Sequence, residues 1–154
     1  MDASYTSNIT EFAIVLAGFS GLVIAIGSKG GKSSPLTKHR TLCLLSFSFA
    51  AAFGSLLPAL ALSFGIPNIW TFSSYGLICI LLVAVSVVHL SARLLLNEEE
   101  RKKLAWYMYI LIYWINIFLV FLLALMPTAG HFFIALVWQL IVSAILFTRL
   151  ILQS

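Results

Sequence analysis

Few side chains in this chain have the types and spacing that chemistry requires. The three histidines, His39, His89 and His131, belong to different parts of the chain, and no two of them fall at one depth in a membrane. There is no HExxH motif and no pair of carboxylates inside an apolar segment, and we expect neither Cys43 nor Cys79 to lie beside a base. We therefore predict that the protein is not an enzyme and holds neither a cofactor nor a metal ion.

Basic residues near the ends of the apolar segments are the first candidates for binding a ligand. The loop 27–34 is rich in glycine, serine and lysine, but three residues separate Gly27 from Gly31 where a P-loop has four. One interpretation is a flexible basic linker that touches anionic lipid headgroups. The other is that seven cations on one face bind a nucleotide or oligonucleotide, and we expect no binding of duplex DNA. The seven cations are Lys29, Lys32, Lys38, Arg40, Arg101, Lys102 and Lys103.

Several polar residues interrupt the apolar segments. Asn116 lies eleven residues before Pro127 and Gln139 lies nine residues after Gly130, so an antiparallel hairpin places the two amides at similar depth. One interpretation is an interhelical hydrogen bond inside one protomer. The other is a polar stripe that lines a water-filled path. The candidate stripe comprises Asn116, Gln139, Ser143, Ser48, Ser55 and Glu11.

The first apolar segment carries a regular ridge of small residues, which lets membrane helices approach closely. The ridge comprises Ala13, Ala17, Gly18, Gly21 and Ala25. It predicts either close packing within the protomer or a subunit interface around a symmetry axis. Glu11 lies on the same side of this segment. It is either a functional carboxylate at membrane depth or a solvated one that pairs with His131.

The elements that position these residues follow from the composition. The chain of 154 residues is 62% hydrophobic and 9% charged, whereas about a quarter of the residues of a soluble domain are charged. A membrane span takes about 20 apolar residues, and five stretches qualify: 9–26, 41–64, 69–96, 104–126 and 131–152. We predict one all-α domain over residues 1–154, an integral membrane bundle of five transmembrane helices. The alternative is four helices plus a re-entrant or shallow first helix.

The distribution of lysine and arginine predicts the orientation. These residues are retained on the cytoplasmic side of a membrane. All nine fall in the loop after the first segment, at the end of the third segment, in the loop that follows it and near the C-terminus, whereas the connections 65–68 and 127–130 contain none. We predict a multi-pass protein of the cell inner membrane with its N-terminus outside and its C-terminus in the cytoplasm.

The sequence EFAIVLAGFSG at 11–21, the basic loop after it and a serine- and alanine-rich span ending in LLPALAL resemble small bacterial multi-span membrane proteins of unassigned function. Among these, the chain resembles the membrane effectors of anti-phage operons. The resemblance implies a ligand-controlled pore. Because five helices are too few to enclose a wide path, we expect a homo-oligomeric channel or membrane-permeabilising effector with its path at a symmetry axis. The alternative is a non-catalytic structural or assembly subunit of a larger membrane complex.

Overall fold

The computed structural model describes Glu11, residues 34–102, Leu104 and residues 106–152. Within this part of the chain every element is a helix: Pro35–Ser63 (α1), Ile69–Leu95 (α2), Glu98–Lys102 (α3), Trp106–Leu125 (α4) and Ala129–Leu152 (α5). All but α3 are long and apolar enough to cross a membrane. The predicted all-α membrane bundle is confirmed here. The first predicted segment, 9–26, lies outside the described residues apart from Glu11, so the choice between five spans and four stays a prediction.

α1 begins six residues before the start that hydropathy predicts, because a capping signal precedes the apolar residues. The Ser34 hydroxyl accepts a hydrogen bond from the Thr37 N–H at 3.2 Å. Pro35 follows at the first helical position, where its missing N–H has no helical partner to lose. The polar turn 35–40 is therefore helical. The other long helices agree with the predicted bounds to within two residues.

Two tight turns join the long helices at one end of the bundle. After α1, the Ile66 N–H donates to the Ala61 carbonyl and the Gly65 N–H to the Leu62 carbonyl, with Gly65 at φ +65°. This is the Schellman arrangement, which favours glycine at its left-handed position. Between α4 and α5, the Thr128 hydroxyl accepts from the N–H of His131. Both turns reverse the chain, so successive long helices are antiparallel.

α1 is the central helix of the described bundle, since it makes its most extensive contacts with α2 and its next most extensive with α5. The three helices meet at Gly54. A Cβ at this position would lie 2.7 Å from Leu77 Cδ1 and 2.9 Å from Leu136 Cδ2, and both leucines are buried. The missing side chain of Gly54 thus sets how closely the helices approach.

The two ends of the bundle differ in charge. The turn end contains residues 64–68 and 126–128, and none of these is charged. The opposite end, which we call the basic end, is formed by the start of α1, the ends of α2 and α5, and α3. It carries Lys38, Arg40, Arg93, Arg101, Lys102 and Arg149, together with three glutamates at the start of α3. The charge asymmetry on which the predicted orientation depends is therefore present in the folded bundle.

Candidate functional site

Two amides form a hydrogen-bonded pair between α4 and α5. Gln139 Nε2 donates to Asn116 Oδ1 at 2.8 Å, and Asn116 Nδ2 donates to the Ile112 carbonyl at 2.8 Å. Gln139 is fully buried and Asn116 is 3% exposed. The hydrogen bond that the hairpin spacing predicts is present. The pair is incomplete, however, because Gln139 Oε1 is buried without a hydrogen-bond partner in the described structure.

Serine hydroxyls extend the polar character of the interior to other depths. Three of them donate to a carbonyl of their own helix: Ser55 to Ala52, Ser143 to Gln139 and Ser91 to Val88. Three more are buried with no hydrogen-bond partner in the described structure, namely Ser48, Ser73 and Ser74. A buried polar group without a partner costs free energy, and in native proteins ordered water usually supplies the missing bond. Each of these three hydroxyls therefore needs a partner that the described structure does not supply.

These buried polar residues occur at several depths between the two ends of the bundle. Counted from the turn end at 1.5 Å per residue, the serines of α2 nearest that end lie at about 6–8 Å and the amide pair at about 14–15 Å. On the same scale Ser48 and Ser143 lie at about 21–22 Å, and His39 and Ser91 at about 33–36 Å, at the basic end. We call this set the polar line. It comprises Ser73, Ser74, Ser55, Asn116, Gln139, Ser143, Ser48, Ser91 and His39, all of them buried.

The burial of the polar line bears on one prediction from the sequence. A path at a symmetry axis requires polar residues on the protomer surface, where a second copy can reach them. Asn116, Gln139 and the serines of the predicted stripe are instead buried within one protomer. The exception is Glu11, which is helical and exposed. These residues therefore make their contacts within a protomer, and the predicted path at a symmetry axis stays a prediction.

A cluster at the basic end was missed in the sequence. His39 is fully buried, and its Nδ1 lies 2.8 Å from Ser91 Oγ while its Nε2 lies 3.5 Å from Cys43 Sγ. The Tyr109 ring lies 6.0 Å from the His39 ring, and its hydroxyl interacts with the Cys43 thiol. The expectation that no cysteine lies beside a base is therefore wrong. The signal was present, because residues four apart on a helix share a face, but position 39 was assigned to a loop.

The described cations of the basic end are mostly accessible, but one has a structural role. Arg101 donates to the carbonyls of Leu96 and Arg93, at 3.2 and 3.1 Å. Its guanidinium therefore closes the C-terminus of α2. Lys38 and Lys102 are exposed and Arg40 is partly exposed. Three of the seven predicted phosphate-binding residues, Lys29, Lys32 and Lys103, lie outside the described residues.

The remaining sequence predictions concern the turn end and the first segment. His131, the expected partner of Glu11, directs its Nδ1 to the Met126 carbonyl at 2.9 Å and to the Thr128 hydroxyl at 3.0 Å. Its ring therefore belongs to the α4–α5 turn. The ridge of Ala13, Ala17, Gly18, Gly21 and Ala25 lies outside the described residues, and its proposed packing role stays a prediction.

Four helices of spanning length with apolar outer surfaces define a multi-pass helical membrane protein. Comparison with known proteins does not refine this class, because the chain matches no family model, no curated protein and no solved structure. The function has to be argued from the polar line and the basic end.

Proposed function

We propose that the protein is a homo-oligomeric membrane channel or membrane-permeabilising effector in which the polar line of each protomer forms the hydrated route. The observation that carries this proposal is the succession of buried polar residues from the basic end to the turn end. Polar side chains within membrane helices are unfavourable unless they are paired or hydrated, and they commonly mark pathways. A bundle that only had to span the bilayer would gain nothing from buried hydroxyls that lack a partner in the described structure.

The proposed route has no charged residue in its middle and carries positive charge at one end. Between Arg40 and Arg93 there is no aspartate, glutamate, lysine or arginine, and α4 and α5 contain none of these residues before Arg149. The amides and hydroxyls can solvate water and ions without binding them as tightly as a buried counter-ion would. The cations of the basic end raise the local concentration of anions at that mouth. We therefore expect anions to pass more readily than cations.

The second part of the proposal is ligand control at the basic end. We propose that an anionic regulator, a nucleotide or oligonucleotide, binds Lys38, Arg40 and Lys102 there, with Lys29, Lys32 and Lys103 as further contacts. The exposure of Lys38 and Lys102 supports this role. An inner-membrane location with the basic end in the cytoplasm follows from the positive-inside rule. On this proposal the regulator is a cytoplasmic signal, as in the anti-phage effectors that the sequence resembles.

The proposal is tested by ion flux in liposomes that contain the purified full-length protein. Flux should increase when an oligonucleotide is added on the side that the basic end faces. Replacement of Lys38 and Lys102 by glutamine should reduce this response, whereas Glu98→Gln, which removes a charge of opposite sign at the same end, should preserve it. Protein that passes no ions with any nucleotide or oligonucleotide, although folded and inserted, would contradict the proposal.

A structural or assembly subunit is the second candidate, and the outer face of α4 favours it. This face exposes Tyr107, Trp114, Phe118 and Phe121, and a large aromatic surface can bind another membrane protein as well as lipid. This candidate predicts stable co-purification with a larger membrane partner. Substitution of Trp114 and Phe118 by leucine should then release the partner and leave the isolated bundle folded.

A further inference from the structure

The outer surface of α2 carries two basic side chains close to the basic end. His89 and Arg93 are both exposed. They are four residues apart, so they share one face of the helix and their Cβ atoms are about 5–6 Å apart. An imidazole has an N–H donor in either protonation state, and α2 contains no aspartate or glutamate. A single phosphate group can therefore accept hydrogen bonds from both side chains.

A second guanidinium group lies at the same end of α2. Arg101 donates to the Arg93 carbonyl at 3.1 Å and to the Leu96 carbonyl at 3.2 Å, and its side chain is exposed. A guanidinium has five N–H donors, so these two bonds leave three donors for another acceptor. Glu100, the carboxylate next to it in the chain, accepts from the Asn97 N–H at 3.1 Å. The end of α2 thus presents two guanidinium groups to an anion.

The depth of these side chains matches the headgroup region of a bilayer. Along the axis of α2, at 1.5 Å per residue from Ile69, His89 lies at about 30 Å and Arg93 at about 36 Å. The hydrocarbon core of a bilayer is about 30 Å thick, and the headgroups add about 5–7 Å on each side. With Ile69 at one boundary of the core, His89 lies at the other boundary and Arg93 lies among the headgroups.

Beside these cations the surface of α2 is apolar. Four exposed side chains follow one another at helical spacing on this surface and form what we call the apolar strip: Val83, Val87, Leu90 and Leu94. The acyl chains of a phospholipid can pack along this strip while the phosphate of the same molecule reaches Arg93. A soluble phosphate compound has no apolar part that would fill the strip. The combination of the strip and the cations therefore favours a lipid over a free phosphate.

We propose that His89, Arg93 and Arg101 bind the phosphate of an anionic phospholipid, whose acyl chains lie along the apolar strip of α2. Anionic lipids attract basic residues next to membrane helices, and basic sites on transmembrane proteins bind their headgroups. A zwitterionic lipid carries its own cation beside the phosphate, so it gains less from the two guanidinium groups. The site uses no residue of the polar line. It goes beyond the proposed channel and does not depend on it.

The experiment is native mass spectrometry of the full-length protein in detergent, titrated with phosphatidylglycerol or with phosphatidylcholine of the same acyl chains. Wild-type protein should bind one phosphatidylglycerol per protomer more tightly than phosphatidylcholine. Arg93→Gln should weaken this site by about fivefold, the usual effect of one basic residue near a membrane surface. Arg93→Lys should weaken it less, because lysine keeps the charge but lacks the planar fork of donors. His89→Gln should also weaken it.

Two control variants separate a defined site from a general effect of charge. Arg149→Gln removes the same side chain at the same end of the bundle, but from α5, and it should leave the tightest phosphatidylglycerol site unchanged. Glu98→Gln removes a charge of opposite sign and should not weaken it. Helical circular dichroism checks that each variant is folded.

Three results would overturn the proposal. Equal weakening by Arg149→Gln and Arg93→Gln would show that only net charge matters. Equal affinity for phosphatidylcholine and phosphatidylglycerol would show that the site does not recognise the charge of the headgroup. Displacement of phosphatidylglycerol by glycerol phosphate at the same concentration would show that the ligand is a soluble phosphate compound. None of these results would bear on ion flux.

Discussion

The amide pair of Asn116 and Gln139 allows the role of the polar line to be separated from its effect on stability, because the two side chains can be replaced singly or together. Asn116→Leu removes the acceptor of Gln139 Nε2 and leaves the Gln139 amide without a side-chain partner, since Oε1 already has none. Gln139→Leu leaves only Asn116 Oδ1 orphaned, because Asn116 Nδ2 keeps the Ile112 carbonyl. Leaving a buried polar group unsatisfied costs about 1–3 kcal/mol. We expect Asn116→Leu near the upper end of this range and Gln139→Leu near the lower.

The double variant should behave differently from the sum of the single ones. When both partners become leucine, no orphaned amide remains, and such replacements are nearly neutral. We therefore expect the double variant to unfold with a free energy within about 1 kcal/mol of wild type. The coupling energy between the two substitutions should have the sign of a favourable pair. It should equal about 0.6–1.7 kcal/mol, the range found for interhelical hydrogen bonds in membranes, plus the cost of the polar groups that the single variants leave without partners. Unfolding in mixed micelles with increasing denaturing detergent, followed by circular dichroism, measures these values.

Ion flux is the second measurement on the same variants. In liposomes the folded double variant should lose regulated flux, because two apolar side chains replace the amides near the middle of the polar line. Ser86→Ala is the control: this serine also lies within a long helix, but it is exposed and bonds only to the Leu82 carbonyl. A folded double variant that conducts like wild type would refute the role of the polar line. A double variant whose destabilisation equals the sum of the single losses would refute the pairing.

Three further predictions concern the helices and turns, and each is read from the free energy of unfolding in micelles. Gly54→Ala should destabilise the bundle by about 1–3 kcal/mol, because the added methyl group overpacks against the neighbouring helices. Gly130→Ala is the control and should be nearly neutral, because nothing lies within 4 Å of the added Cβ. Equal losses of stability in the two variants would contradict the close approach at Gly54. Gly65 has open space around it but a φ of +65°. Gly65→Ala should therefore lower the free energy of unfolding by about 1–2 kcal/mol through backbone strain alone, and a neutral result would show that the turn rearranges. Ser34→Ala should cost about 1 kcal/mol and Ser34→Gly only a few tenths, and the cap would be refuted if the alanine variant were as stable as wild type.

Much of the fold could be predicted from the sequence because membrane spans are read from a strong signal, the length of an apolar run. The bounds of α2 and α5 follow from it almost without error. The start of α1 does not, because residues 35–40 are polar. The helical conformation of these residues depends on the cap at Ser34 and on Pro35. An average of hydropathy over many residues does not detect these two signals. The same error placed His39 in a loop and concealed its contact with Cys43.

The candidate site was predicted in part, for a physical reason. The depths of Asn116 and Gln139 follow from their distances to the turn, so their hydrogen bond could be foreseen. The direction in which the polar side chains face could not be foreseen. Apolar residues surround them on all sides of each helix, so the periodicity that distinguishes an inner from an outer face is weak. The buried serines of α2, Ser73 and Ser74, were missed for this reason, and the burial of the predicted polar stripe within the protomer was not foreseen.

The bonding of the polar line bears on how the proposed channel would open. Four of its hydroxyls either donate to their own helix or have no partner in the described structure, so these four hold no helix to another. Gln139 with Asn116 and His39 with Ser91 form interhelical side-chain bonds of the line, each contributing about 0.6 kcal/mol. The close packing of Leu77 and Leu136 at Gly54 also holds α1, α2 and α5 together. Water that enters the line replaces few bonds, whereas the helices must separate at Gly54. A regulator at the basic end would thus act on helix packing, and the line would hydrate as a consequence.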